Sequence, residues 1–242
     1  MLLVLSITAQ IFFGWQQQGN LRTVQKILEE ALTKVAAHQV KTICAGRTDK
    51  GVHAREQVVH FNTSANRDDT AWILGVNSYL PQDISVKWIR KVDSSFNARL
   101  SAVKRHYRYF IYNNLTRPAI LAHHVTWHYK KLSIDKMQLG AEYLLGKHDF
   151  SSFRSADCQA KTTARFIETI KFTKQTDDIF YIDIIANAFL HHMVRNIVGV
   201  LLQVGEDKQR PEWIEQVLFA RNRKAASITA DPNGLYLWQV YY

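Results

Sequence analysis

The chain has 242 residues, enough for one large or two small domains around a sizeable buried core. Apolar residues make up 47% and charged residues 21%, ordinary values for a soluble globular protein. The excess of 31 Lys and Arg over 21 Asp and Glu gives a net charge of +10. It favours a polyanionic partner, either nucleic acid or an anionic membrane surface, with a basic but inert surface as the alternative.

The two cysteines, Cys44 and Cys158, exclude a disulfide framework and a zinc quartet; they read as reduced thiols in a cytoplasmic protein. In chain order, the opening MLLVLSITAQIFF carries no charge but lacks a basic n-region and a small-residue cleavage site, and it is too short to span a bilayer. It reads as a buried strand over 2–13, leaving open that a few residues precede Met1. Residues 23–39 read as a helix with Ile27, Leu28, Ala31, Leu32 and Val35 on one face and Thr23 as its N-cap. Strands follow at 42–45 and 57–62, then a helix over 68–80 stopped by Pro81. A strand over 84–92, with Ile84, Val86 and Trp88 alternating, completes a β-α-β-β-α-β order.

The rest repeats that order loosely. A strand over 106–112 precedes a helix over 133–146 ended by Gly146. A hairpin joins 166–174 to 179–186 across QTDD. Helices over 190–205 and 211–220, the latter with Pro211 in its first turn, lead to a last strand over 235–242. The predicted class is α+β: two ferredoxin-like/RRM-like βαββαβ halves, 1–98 and 99–242. Their sheets are expected to be mostly antiparallel with helices on one side, and a basic cleft is expected between them, where sites commonly form.

Three stretches could carry chemistry. In AGRTDKGVHA (45–54), Asp49 lies between Arg47 and Lys50. The plain reading is a type I turn over Thr48–Gly51. The cations favour an ionised carboxylate, which suits a nucleophile or base better than an acid, and they can also hold phosphates.

In KRHYRYFIYN (104–113), period-two spacing puts Arg105, Tyr107 and Tyr109 on one face and His106 and Arg108 on the other. Lys104, Arg105 and Arg108 offer charge for phosphates, and the rings offer a π-face for a displaced base. For this segment alone, an edge strand with snorkelling arginines weighs slightly more.

In NAFLHHMVRNIVG (187–199), His191 and His192 on a helix would point in different directions and make a poor metal pair, as would His123 and His124. Arg195, among Phe189, Met193, Ile197 and Val198, is expected to be partly buried and to need an anionic partner. Asp49 is one candidate and any other acid the alternative. HExxH, CxxC, GxGxxG, GxxxxGK[ST] and GxSxG are all missing, so nucleotide-cofactor and serine-hydrolase chemistry lose support.

Taken in order, GWQQQ (14–18), AGRTDKGVHA (45–54), FNAR (96–99), HYRYFIYN (106–113), HDFSSFR (148–154), NAFLHHMVRNIVG (187–199) and GLYLWQVYY (234–242) resemble the tRNA pseudouridine synthase A family over nearly the whole chain. G-R-T-D-x-G-V-H is the most specific piece. Ile7-Thr8-Ala9 stands where members usually carry Y-D-G, a departure that falls on the first loop and outside the catalytic set.

The resemblance implies isomerisation of uridine to pseudouridine at positions 38, 39 and 40 of the tRNA anticodon stem-loop, by a cytoplasmic homodimer without metal or cofactor and without a membrane partner. It places the essential aspartate at Asp49, the active-site tyrosine at Tyr107, and the arginine that pairs with the aspartate at Arg195. Arg47 takes the place of the arginine that displaces the target base. Lys50, Arg99, Lys104, Arg105 and Arg108 are the further expected RNA contacts. Two alternatives stand beside this reading: a non-catalytic structured-RNA-binding protein, and an N-glycosidase. The latter would want a second carboxylate, for which Glu56 is nearest in sequence.

Overall fold

Strand β1 (Leu2–Ile7) buries Leu3, Val4, Leu5 and Ile7 and lies between two antiparallel neighbours, β3 (His53–Phe61) and β4 (Ile84–Arg90). This interior position accounts for an apolar run without alternation. The strand is shorter than the expected 2–13. Beyond it the Thr8 N–H donates to the Asp83 carbonyl and the Phe12 N–H to the Ala9 carbonyl, which turns the chain into a loop. The apolar run continues because Ala9, Phe12 and Trp15 are buried within that loop.

The structure, a computed structural model, describes residues 1–158 and 160–242. Its described residues form five α-helices and ten strands with mostly antiparallel pairing, a mixed α+β protein. They divide into two compact units, Met1–Val103 with Tyr236–Tyr242, and Lys104–Leu235.

In the first unit, α1 (Val24–Ala36) buries Leu28, Ala31, Leu32 and Val35, the i, i+3, i+4, i+7 stripe that its sequence announces. Thr23 takes the extended N-cap backbone, but its hydroxyl makes no capping bond. Strand β2 (Thr42–Cys44) runs antiparallel to β3. Helix α2 (Asp69–Tyr79) begins where the Asp68 carboxylate accepts the Ala71 N–H at 2.7 Å, and stops just before Pro81. The Asn77 amide clasps both backbone groups of Val86, which fastens α2 to β4. The last strand, β10 (Leu235–Tyr241), pairs in parallel with β3 at Tyr236 and Leu237. From Tyr236 onward it therefore belongs to the first unit, a long-range pairing that local pattern cannot reveal.

In the second unit, β5 (Lys104–Asn113), β9 (Ile179–Ala186), β8 (Ala164–Lys174) and β7 (Gly146–Asp149) pair antiparallel in that order. A short β6 (Thr126–His128) runs parallel to β5. Neither β6 nor β7 was expected: each is three or four residues long and is defined by its pairing, with β5 and β8 respectively. Helix α3 (Ile134–Glu142) stops short of Gly146, which instead opens β7 at φ +91°. Helix α4 (Met193–Gly205) is buried almost all round, and α5 (Trp213–Ala220) starts after a turn holding Pro211.

Candidate active-site residues

The GRTD stretch is the connection from β2 to β3, and its turn lies one residue later than expected. The Val52 N–H donates to the Asp49 carbonyl at 3.1 Å, so the turn is Asp49–Val52 with Gly51 in its third position. Gly51 has φ +79°, the left-handed value that a type II turn demands there. The shift makes Asp49 the first residue of the turn, the one whose carbonyl closes it, with Lys50 and Gly51 at the two corners. Asp49 is half-buried, while Arg47 and Lys50 on either side are exposed.

Beneath the loop, Ala45 donates to the Val58 carbonyl, and the Gln57 amide donates to the Gly46 carbonyl at 2.7 Å. The Lys50 ammonium stands 4.4 Å over the Phe13 ring. Burial pushes the Cys44 thiol up to about 12 against the opposing pull of Arg47 and Arg99, so both guanidiniums lie within electrostatic reach of the loop's base. Arg99 is exposed and follows a bend built by Asn97, whose side-chain oxygen accepts the Arg99 and Leu100 N–H groups.

On β5 the alternation is as expected. His106 and Arg108 share a face and a partner: Asp183 accepts 2.7 Å bonds from His106 Nε2 and Arg108 Nε, and a 2.9 Å bond from Arg108 Nη2. Burial works against the charged Asp183 carboxyl, but these donors outweigh it and hold the group below the usual carboxylate range. The Arg108 guanidinium also lies 3.9 Å over Tyr181.

On the opposite face, the half-buried Tyr107 meets Phe189 edge to face at 5.0 Å. Tyr109 is fully buried and bonded to Thr126 and the Asp231 carbonyl, and burial pushes its phenol well above the usual value. Lys104 pairs with Glu168 at 2.6 Å, and Arg105 donates to the Asn187 carbonyl at 2.9 Å.

Arg195 lies in the first turn of α4 and is half-buried. Its Nε donates to the Ala230 carbonyl at 2.7 Å, and its own carbonyl accepts the Ala230 N–H at 3.1 Å. That second segment approaches closely because Gly199 has no side chain: a β-carbon there would meet the Ile228 carbonyl oxygen at 2.0 Å. The fully buried Asn196 accepts from Thr229 and Arg223 and donates to the Phe153 carbonyl, tying α4 to its surroundings.

Sequence reasoning missed these supports. The readable signal was an asparagine amid the apolar positions of α4. His191 and His192 are not on the helix, contrary to expectation. They precede it, with His192 at φ +62° as the N-cap, and their ring centroids are 4.0 Å apart. Glu56 sits on β3 between Arg55 and Lys87, each 3.9 Å away. A cavity of about 720 Å³ in the second unit is lined by Lys136, Lys208, Arg210 and Trp213 and by none of the expected site residues.

The family model described as tRNA pseudouridine synthase matches residues 10–100 and 141–242. Proteins named tRNA pseudouridine synthase A are similar over 231 residues, 96% of this chain. The one from Colwellia psychrerythraea is 52% identical, with 89% of its own length covered. Those from Pseudoalteromonas atlantica and Coxiella burnetii are 52% and 50% identical, each with 88% covered.

Proposed function

Because the chain belongs to the tRNA pseudouridine synthase family, a family of isomerases, we propose that it converts uridine to pseudouridine at positions 38, 39 and 40 of the tRNA anticodon stem-loop, with Asp49 as the reactive group. The observation that carries this reading is the intact G-R-T-D-x-G-V-H loop. In it a half-buried carboxylate opens a glycine-dependent turn and stands between two exposed cations. The family resemblance also supports two ferredoxin-like halves about a basic cleft, a homodimer and a cytoplasmic setting.

The reaction breaks the N1–C1′ glycosidic bond, turns the freed base and joins C5 to C1′. The proton lost from C5 is matched by one gained at N1, so no oxidant, reductant or co-reactant is consumed. The uridine must first leave its stack, at a cost of a few kcal/mol. Arg47, exposed beside Asp49, fills the vacated space, while Lys50 and Arg99 hold phosphates. Asp49 then attacks as a nucleophile or draws a sugar proton to promote elimination. Arg195 keeps that carboxylate ionised and aimed. Tyr107 offers its ring to the base and its phenolic oxygen to the departing C5 proton.

Asp49→Asn is expected to fold and bind tRNA with pseudouridine formation abolished. Tritium release from tRNA carrying 5-tritiated uridine measures this directly. Wild-type-like release by the variant would sink the assignment of Asp49. Free uracil in place of pseudouridine would identify an N-glycosidase, and tRNA binding by the wild type without release would identify a non-catalytic binder.

A further inference from the structure

The Asp49 turn rests on a two-residue segment of the first loop. Gly14 has φ +83°, and a β-carbon there would lie 2.8 Å from the Thr48 carbonyl oxygen and 3.2 Å from both the Asp49 carbonyl carbon and the Lys50 nitrogen. The neighbouring Trp15 N–H donates to that same Thr48 oxygen at 2.9 Å. The support is itself anchored. The Gly14 carbonyl accepts the Val24 N–H at 3.2 Å, and the Trp15 carbonyl accepts the Gln25 N–H at 3.0 Å, which ties both residues to the first turn of α1. The Trp15 side chain is only 1% exposed, so the anchor is held by the core rather than by solvent-facing contacts.

We infer that Gly14 and Trp15 are positioning residues for the reaction: they fix the Thr48–Lys50 backbone from below and so set the aim of the Asp49 carboxylate. The inference rests on the reading of Asp49 as the reactive group. Contacts under 3.0 Å between a β-carbon and a backbone oxygen are not sustained, so any side chain at position 14 moves the Thr48 carbonyl or the loop that carries Gly14. Either movement is transmitted to Asp49 one residue away, with no change to any group that would touch RNA.

Gly14→Ala, Gly14→Asn and Gly19→Ala test this. Gly19 lies in the same loop and also has a positive φ, +44°, but a β-carbon there meets nothing within 4 Å. Steady-state pseudouridine formation is measured on tRNA, with folding followed by thermal melting. Gly14→Ala is expected to lower kcat by about tenfold to a hundredfold, the scale of a sub-ångström to 1 Å misplacement, with KM for tRNA changed by less than about twofold. Gly14→Asn should not restore kcat, because asparagine tolerates a positive φ but carries the same β-carbon. Gly19→Ala should keep wild-type kcat.

Full activity of Gly14→Ala, rescue by Gly14→Asn, or an equal loss in Gly19→Ala would overturn the inference. So would a Gly14→Ala chain that does not fold beside a Gly19→Ala chain that does, since the contact would then serve folding alone. Asp49→Asn is assayed in parallel. Activity there overturns the function reading, whereas an inactive Asp49→Asn with a fully active Gly14→Ala overturns only the positioning role.

Discussion

Cys44 closes β2 directly below the GRTD loop, and its thiol is a probe of how tightly that loop is seated. Burial pushes its pKa up to about 12 even though Arg47 and Arg99 both favour the thiolate. At pH 8 almost none of it is ionised, and access is blocked as well. Cys158 is only half-buried. Limited treatment of the native protein with iodoacetamide at pH 8 should therefore label Cys158 well before Cys44, as read by mass spectrometry of tryptic peptides. Labelling of Cys44 at a comparable rate would mean that the loop lifts from its base. Asp and Gly at a bend are legible in sequence, but the register is decided by Gly51, whose positive φ fits only the third position of the Asp49–Val52 turn.

Elements with strong local signals were legible, and those defined by distant partners were not. The α1 stripe, the stop of α2 before Pro81 and the 179–186 strand all follow from spacing within a dozen residues. The boundary at Ile7, the strands β6 and β7, and the return of β10 to β3 depend on partners far along the chain. The alternation on β5 was legible, but the shared partner Asp183, about 75 residues on, was not. One long-range bond of this kind is testable by titration. His60 on β3 accepts the Ala98 N–H at Nδ1, which requires an unprotonated nitrogen, and burial lowers its pKa below 6.5. A histidine with a lowered folded pKa leaves stability intact above 6.5 and erodes it as the pH falls from there toward the folded value. The half-buried His128, also lowered by burial, acts in the same direction. Melting temperature should therefore decline as the pH drops below about 6.5. His60→Asn, whose Oδ1 can take the place of Nδ1 without titrating, should show a smaller decline. An unchanged pH profile in the variant would remove His60 from the account.

A net charge of +10 draws the whole molecule toward RNA, yet its cations are not equally available for phosphates. Arg108 is committed to Asp183 by two hydrogen bonds and is stacked on Tyr181, and Lys104 is paired with Glu168. Lys50 is exposed. Counterion release makes this difference measurable. Each cation that neutralises a phosphate steepens the fall of log K with log salt by about 0.7 in single-stranded regions and about 0.9 in duplex. Titrating tRNA by fluorescence anisotropy at several KCl concentrations should therefore give a slope shallower by about that amount for Lys50→Gln. Arg108→Gln should keep the wild-type slope while lowering the melting temperature, because it strips the bidentate partner from a half-buried carboxylate. If Arg108→Gln instead flattens the slope while Lys50→Gln leaves it unchanged, the RNA is read by the face of β5 that carries His106 and Arg108, not by the loop that carries Asp49.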